Sequence, residues 1–190
     1  MKNKKIDYIL LTRDILSFIF VIFHLYLVFS GLIPNIIQRS IHIALSLPLI
    51  FLYFPPKKKK ITLIVDIIFS ILSFSSAIYI SLFYEKITYQ YGIMEGKIQE
   101  ILAIIIIIMV LEGARRSVKP ALPIIATLFL LYAFFGHLLP GYFGHVKFEP
   151  ASILGMLYLT TNGIWGIIVG ISVNIIAIFV ILGAMLVVGG

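Results

Sequence analysis

Long apolar runs separated by short polar stretches dominate the chain. A helix needs about 20 apolar residues to cross the hydrocarbon core of a bilayer, and most of the runs approach or exceed that length. The pattern predicts an all-α integral membrane protein with about six hydrophobic helical segments. These segments cover residues 15–33, 36–54, 61–84, 101–111, 118–139 and 164–188.

The connections between these runs differ in character. Residues 85–100 form a polar connection, and residues 140–150 form a loop rich in Pro, Gly and aromatic residues. The stretch 151–161 is predicted to be amphipathic or partly inserted. Five consecutive isoleucines at 104–108 would favour a strand in water. In lipid a helix satisfies its own backbone hydrogen bonds, so a helix is predicted there.

Composition excludes a soluble globular protein. Hydrophobic residues make up 61% of the 190 residues and charged residues only 12%, and the mean hydropathy is +1.12. Soluble domains are about 45–50% apolar and about 25% charged. Cysteine is absent, which excludes disulfides, thiolate nucleophiles, zinc–thiolate sites and iron–sulfur clusters.

The net charge of +7 is organised by position. Basic residues cluster between apolar runs, a pattern that orients membrane helices and does not indicate nucleic-acid binding. With the N-terminus in the cytoplasm, most basic residues face inside: Lys2, Lys4, Lys5, Arg13, Lys57, Lys58, Lys59, Lys60, Arg115, Arg116 and Lys119. The remainder face outside: Arg39, Lys86, Lys97 and Lys147. The positive-inside rule thus predicts a cytoplasmic N-terminus. Arg39 and His42 are expected to snorkel to the interface.

Charged residues near the cytoplasmic side form the first candidate group. Asp66 lies within the third run, where a carboxylate is either functional or paired with a nearby lysine or another helix. Glu112 is three and four residues before Arg115 and Arg116, so pairing along one helix face is predicted. We interpret these four residues as scaffold or junction candidates. The Glu112–Arg116 stretch is either a solvated orienting cluster or a contact with lipid head groups or another subunit.

The last run contains the second candidate group. Gly163, Gly166 and Gly170 precede Ser172 and Asn174 within an otherwise apolar segment. Such glycines either let helices pack closely or mark a discontinuous, re-entrant helix whose carbonyls and small polar side chains bind ions and substrate. The candidates for substrate or ion binding are Gly166, Gly170, Ser172 and Asn174.

Motifs for catalysis or metal binding are absent from the sequence. His24, His42, His137 and His145 have no metal-ligand spacing on one helix face, so no metal site is predicted and the histidines are interpreted as structural or interfacial. The H-E-x-x-H, G-x-S-x-G and Walker patterns do not occur. We therefore expect no enzymatic activity, the open alternative being a membrane enzyme that uses Asp66 or a histidine.

Ordered blocks along the whole chain resemble a transporter family. The blocks include His24-Leu25-Tyr26, Gln38-Arg39-Ser40-Ile41-His42, Leu111-Glu112-Gly113-Ala114-Arg115-Arg116, Leu131-Tyr132-Ala133-Phe134-Phe135-Gly136, Leu157-Tyr158-Leu159-Thr160-Thr161-Asn162-Gly163-Ile164-Trp165-Gly166 and Gly170-Ile171-Ser172-Val173-Asn174. In these blocks the chain resembles the N-terminal part of the fused membrane subunit (four-helix small subunit joined to twelve-helix large subunit) of TRAP transporters, tripartite ATP-independent periplasmic transporters that work with TAXI-type binding proteins.

The resemblance implies a function and a domain division. Residues 1–117 would form a four-helix scaffold domain similar to the small subunit, and residues 118–190 would begin the large transport subunit, with 163–174 near its first re-entrant hairpin. The implied activity is uptake of an organic anion across the cell (cytoplasmic) membrane. It implies Na⁺ as coupling ion and no other cofactor. The implied partners are an extracytoplasmic TAXI-like binding protein, the remainder of the large permease subunit and the lipid bilayer.

Two features qualify this carry-over. The family often has Glu where Asn162 stands and an Ala-Thr pair where Val173 and Asn174 stand. The fused family is also roughly three times longer, so this chain is expected to be a truncated reading frame, an expressed fragment or a partial subunit completed by another chain. The alternative function is that of a non-transporting membrane scaffold or interaction protein.

Overall fold

A computed structural model describes residues 8–30, 33–55 and 60–190, and none of these residues lies in a β-strand. Within the described residues, five helical segments are long and apolar enough to cross a membrane: Ile9–Ser30, Asn35–Tyr53, Thr62–Leu82, Ala121–Leu138 and Ile167–Gly189. The prediction of an all-α, multi-pass membrane protein is thereby confirmed. The helices are α1 (Tyr8–Ser30), α2 (Asn35–Tyr53), α3 (Lys60–Leu82), α4 (Tyr84–Gln90), α5 (Lys97–Ser117), α6 (Ala121–Phe135), α7 (Pro150–Leu159) and α8 (Ile167–Gly189).

The core of the bundle consists of α2, α3 and α5, which pack against one another. Small residues permit the close approach of α2 and α3: Ala44 and Ala77 are fully buried, and the hydroxyl oxygens of Ser40 and Ser81 lie 2.5 Å apart. In lipid, small residues and interhelical hydrogen bonds replace the hydrophobic effect as the reason for association. The α2–α3 hairpin is therefore the most tightly joined part of the bundle.

The isoleucine run lies in α5, as predicted. The buried residues of this helix recur every three or four positions, which is the spacing of one helix face: Ala103, Ile106, Met109 and Gly113. Of the five isoleucines, Ile104 and Ile108 are exposed. Some isoleucines of the run therefore face the core and others face away from it.

The polar connection predicted at 85–100 is more ordered than a loop. It contains α4, and α5 begins at Lys97 because Gln99 closes the turn before it. The Gln99 side chain accepts a hydrogen bond from the Glu95 backbone N–H (2.7 Å) and donates one to Gln90 Oε1 (3.1 Å). An amide side chain can make both bonds at once, which neither apolar periodicity nor charge indicates.

Helix α8 is continuous. An α-helical turn (Ile167–Ile171) leads into a π-helical turn (Ser172–Ile176) and then an α-helix (Ala177–Gly189). The unwound backbone lies at 160–166, between α7 and α8. The predicted interruption therefore exists, but it precedes the helix instead of dividing it. The sequence stretch 151–161, predicted to be amphipathic or partly inserted, forms α7, which packs against α5 and α6.

His145 ties the loop before α7 to α6. Its Nδ1 lies 2.6 Å from the Val146 carbonyl oxygen and its Nε2 lies 2.9 Å from the Tyr132 carbonyl oxygen. Only the imidazolium form can donate from both nitrogens. These two acceptors, Tyr132 first, raise the pKa of His145 above its ordinary value.

The His145 tie is expected to weaken as pH rises. A raised pKa in the folded state means that the contribution is fully present below the ordinary histidine pKa of about 6.5 and is lost as pH rises through the folded value. Hydrogen exchange of the amides in 144–148, corrected for intrinsic rates, should accelerate across that window. His145→Gln should abolish this pH dependence, whereas His137→Gln should retain it, and equal behaviour of the two variants would contradict the assignment.

Candidate functional site

The predicted junction residues meet at one end of the bundle, in an ion-pair network that we call the Arg116 cluster (Asp66, Glu112, Arg115 and Arg116). Arg116 Nη1 lies 2.5 Å from Asp66 Oδ1, and Arg116 Nε lies 2.7 Å from Glu112 Oε1. Arg115 donates to both oxygens of Glu112, from Nε to Oε2 at 2.7 Å and from Nη2 to Oε1 at 2.8 Å. The predicted pairing of Glu112 with both arginines is therefore present.

Burial divides this cluster into an inner and an outer pair. The side chains of Arg116 and Asp66 are 4% and 5% exposed, whereas that of Arg115 is 56% exposed. The Arg116 guanidinium also faces the rings of Phe51 and Phe69, at 5.0 and 5.4 Å from their centroids. Cation–π contacts of this kind are strongest where water is excluded. Arg116 thus holds α2, α3 and α5 together.

Asp66 has the kind of partner that one of its two interpretations requires. Its carboxylate is paired with an arginine of another helix, which is the pairing alternative, and the two acids and two arginines of the cluster balance in charge. The lysines at 57–59, the other predicted partners, lie outside the described residues.

A second polar site lies at the opposite end of α2, where α1, α2 and α8 meet; we call it the α8 junction (His24, Arg39, His42, Gly170 and Ser172). His24 Nδ1 lies 2.7 Å from the Phe20 carbonyl oxygen, and His24 Nε2 lies 2.9 Å from His42 Nδ1. Ser172 Oγ lies 3.3 Å from His42 Nε2. Both histidines are buried.

One set of proton positions satisfies this chain of bonds with neutral rings. The Phe20 carbonyl can only accept, so His24 donates from Nδ1 and accepts at Nε2. His42 must then donate from Nδ1 and accept at Nε2, where Ser172 donates. The chain links three helices without a formal charge, which suits an apolar environment.

The π-helical turn lies where this chain reaches α8. The Ala177 N–H donates to the Ser172 carbonyl, five residues earlier, instead of the Val173 carbonyl four residues earlier. Single π-turns inside α-helices occur often at functional sites. The turn therefore places an irregular backbone beside the buried histidines.

Arg39 carries the only charge at the α8 junction among the described residues. Its Nη1 donates to the Trp165 carbonyl oxygen at 2.8 Å, and Trp165 in turn donates from Nε1 to the Tyr158 carbonyl of α7 at 2.5 Å. Arg39 was expected to snorkel outward together with His42. The structure shows the partners of both side chains, which are the Trp165 carbonyl for Arg39 and, for His42, the Ser172 hydroxyl and the His24 ring.

Gly170 permits this arrangement. A Cβ atom on Gly170 would lie 2.7–2.9 Å from Nη2, Nε and Cζ of Arg39, closer than van der Waals contact allows. Gly170 and Ser172 are thus the two predicted ion- or substrate-binding candidates that the fold brings to the junction. Gly166 lies in the unwound segment, with its Cβ position 2.9 Å from the Gly163 carbonyl oxygen. Asn174 is exposed.

The residues that sequence reasoning missed are Arg39, His24 and His42 as a group. They lie on two helices, so spacing along one helix face cannot connect them. The available signal was Arg39 and His42, three residues apart in a spanning helix, since ionisable residues in such helices are functional candidates. Within the described residues, no three His, Cys, Asp or Glu residues are grouped so that they could hold a metal ion.

A large cavity of about 810 Å³ opens between α5, α6 and α7. Its lining is almost entirely apolar, with Tyr132, His145 and Ser152 as the polar exceptions. It therefore fits an apolar occupant and provides no convergent polar groups for a charged substrate.

Comparisons with known proteins add no assignment: no family model, curated protein or solved structure matches the chain.

The histidine chain makes a direct prediction for stability. His42→Ala leaves His24 Nε2 buried without its donor, and an unsatisfied buried polar group costs about 1–3 kcal/mol, to which the loss of the packed ring adds. We expect the free energy of unfolding, measured by denaturing-detergent titration, to fall by at least that amount.

Ser172→Ala is the matched control for this variant. It removes the long 3.3 Å contact and leaves the His24–His42 bond intact, so we expect a loss of about 1 kcal/mol or less. Equal losses in the two variants would contradict the proposed chain.

Proposed function

We propose that the chain is a membrane permease component of a TRAP-type secondary transporter, which takes up an organic anion with Na⁺ after an extracytoplasmic TAXI-like binding protein has delivered it. The cell (cytoplasmic) membrane is the proposed location. The observation that carries the proposal is the α8 junction, where ionisable and small polar groups meet a π-helical turn inside apolar helices. Intramembrane groups of this kind are typical of substrate and ion pathways.

The proposal assigns different roles to the two parts of the chain. Residues 1–117 would act as the scaffold, and the buried Asp66–Arg116 pair supports a rigid role for that part. Residues 118–190 would begin the transport part, which is completed by the remainder of the large subunit. Helices α6 and α8, like α1, are almost entirely unburied within the chain, so all three have faces that further helices could cover.

The test begins with the neighbouring genes. We expect sequence downstream of residue 190, or in an adjacent gene, to encode further apolar helices, and a nearby gene to encode a binding protein. These proteins should be co-expressed with the chain and reconstituted in proteoliposomes. An inward Na⁺ gradient should then drive uptake of at least one member of a panel of ¹⁴C-labelled organic acids, only when the binding protein is present.

Substitutions connect uptake to the proposed site. Ser172→Ala and Asn174→Ala should reduce uptake at least tenfold at matched protein levels, as loss of a ligand in a polar site does. Gly183→Ala, with no atom within 4 Å of the added Cβ, should transport normally. A stable complex of all the components that supports no uptake would favour the alternative, a non-transporting membrane scaffold.

A further inference from the structure

Arg39 is a cation without an anion. Within 4.0 Å of its guanidinium there is no carboxylate among the described residues, in contrast to Arg13, Arg115 and Arg116, which are each paired. Lys86, at the same end of the bundle as Arg39, is paired with Glu95 at 3.0 Å. Arg39 therefore stands apart from the other arginines of the described chain.

The hydrogen bonds of Arg39 leave most of its donors unused. A guanidinium has five N–H groups, and the described residues provide one acceptor, the Trp165 carbonyl oxygen. The Nε–H is buried with no acceptor, and Gly170 lies against both Nε and Nη2. The Nη2 group makes no hydrogen bond within the described chain and is not fully buried. Nη2 and the second N–H of Nη1 therefore have no acceptor among the described residues.

The helices that meet at the α8 junction also provide no unpaired acidic residue to balance the charge of Arg39. Helix α2 and helix α8 contain no acidic residue, and α1 contains only Asp14, which is paired with Arg13. An uncompensated charge in an apolar environment is costly, and an arginine in a spanning helix normally pairs with an acidic side chain or with backbone carbonyls. A group that completes the site must accept hydrogen bonds, since every N–H of a guanidinium is a donor, and an anion would also compensate the charge.

We infer that Arg39 forms a binding site for an oxyanion, either phosphate or carboxylate, at the α8 junction. The planar guanidinium edge matches two oxygen atoms of such a group. Gly170 keeps the guanidinium in place against the backbone of α8, and the Trp165 carbonyl orients it. A phospholipid head group and a free anion share this chemistry. The site exists independently of whether the chain transports a substrate.

The test uses the full chain, purified in detergent and stripped of lipid. Inorganic phosphate and acetate are titrated separately at constant ionic strength, and emission of Trp165, the only tryptophan, reports binding because its carbonyl contacts Arg39. In parallel, native mass spectrometry counts phospholipids retained per chain before stripping. We expect saturable binding or one retained phospholipid in the unmodified chain.

Four variants make the test specific. Arg39→Gln removes the charge but keeps a donor for the Trp165 carbonyl, and should weaken binding at least about tenfold. Arg39→Lys keeps the charge but lacks the planar guanidinium with its paired N–H donors, and should bind the anion with intermediate affinity. Gly170→Ala keeps the charge but displaces the guanidinium, and should also weaken binding. Arg13→Gln, which removes one positive charge elsewhere, should bind as the unmodified chain does. Circular dichroism confirms that each variant is folded, and if Arg39→Gln does not fold, the other three decide.

The outcomes distinguish the two sources of the anion and show whether the inference is wrong. Saturable phosphate or acetate binding that depends on Arg39 identifies a free anion. Retention of one phospholipid that depends on Arg39 identifies a head group. The inference is overturned if neither is observed, or if Arg13→Gln weakens binding as much as Arg39→Gln. Uptake is not measured, so failure here is distinct from failure of the transport proposal.

Discussion

Arg116→Ala is expected to lower the free energy of unfolding by about 3–5 kcal/mol, the cost of breaking one partner out of a buried ion pair. The substitution leaves the buried Asp66 carboxylate without its arginine and removes the guanidinium from between Phe51 and Phe69. It also removes the joint between α3 and α5 at that end of the bundle. Reversible unfolding in mixed micelles, with Trp165 emission as the signal, measures the change.

Arg115→Ala is the matched control. It deletes an arginine from the adjacent position that also pairs with Glu112, but this side chain is 56% exposed, and exposed pairs contribute about 0–1 kcal/mol. Asp66→Leu combined with Arg116→Met should recover much of the loss, because apolar replacement of a whole buried pair is often neutral. Similar losses for Arg115→Ala and Arg116→Ala would mean that burial does not determine the energetics of the cluster.

This cluster also illustrates what the sequence could and could not predict. The pairing of Glu112 with Arg115 and Arg116 is local, and helical spacing alone brings those side chains together. The pairing of Asp66 with Arg116 spans 50 residues and depends on how α3 packs against α5. The sequence left Asp66 as either a functional carboxylate or one paired with a nearby lysine or another helix, and it could not identify Arg116 as the partner.

Of the residues at the α8 junction, the sequence singled out those of α8 as binding candidates but not their partners on α1 and α2. The glycines followed by Ser172 drew attention to α8, where Gly170 and Ser172 lie at the junction, and their role in binding stays a prediction. The partners Arg39 and His42 were expected to reach the interface, since a basic residue near a helix end commonly does so. The contact of Arg39 with α8 depends on the carbonyl of Trp165 and on the absence of a side chain at Gly170, which are properties of the tertiary structure.

The predicted ends of the helices were wrong where polar side chains end or extend a helix. Hydropathy placed the fourth segment at 101–111, whereas α5 runs from Lys97 to Ser117, since its ends are amphipathic and carry charges. The π-helical turn of α8 has no counterpart in hydropathy, because it arises from a shift in backbone hydrogen bonding. Apolar periodicity thus predicted which segments are helical, and the contacts between helices determined their ends and irregularities.

Gly155→Ala is expected to be strongly disruptive. The added Cβ would lie 2.0 Å from the carbonyl oxygen of Gly92, which is backbone and cannot rotate away. Gly92 has a φ of +84°, a conformation that few other residues adopt, so the loop before α5 has little freedom to retreat. Helix α7 must therefore move.

Displacement of α7 should be visible at Trp165. Tyr158 donates from its hydroxyl to the Ser76 carbonyl of α3 at 2.6 Å, and its own carbonyl accepts the Trp165 indole N–H. Trp165 is fully buried, so movement of α7 should shift its emission to longer wavelength and increase quenching. We expect an accompanying loss of about 1–3 kcal/mol or more, the usual cost of overpacking.

Gly183→Ala supplies the comparison for this prediction. It adds the same methyl group to a helix with no atom within 4 Å of the new Cβ, and alanine favours a helix over glycine by up to about 1 kcal/mol. Its Trp165 emission should match the unmodified chain and its stability should be equal or slightly higher.

Because α7 leads directly into the unwound segment at 160–166, a displaced α7 also moves the Trp165 carbonyl away from Arg39. Unchanged emission in Gly155→Ala would show that α7 does not hold the segment in place, and the α8 junction would then depend on the contacts of α8 with α1 and α2 alone.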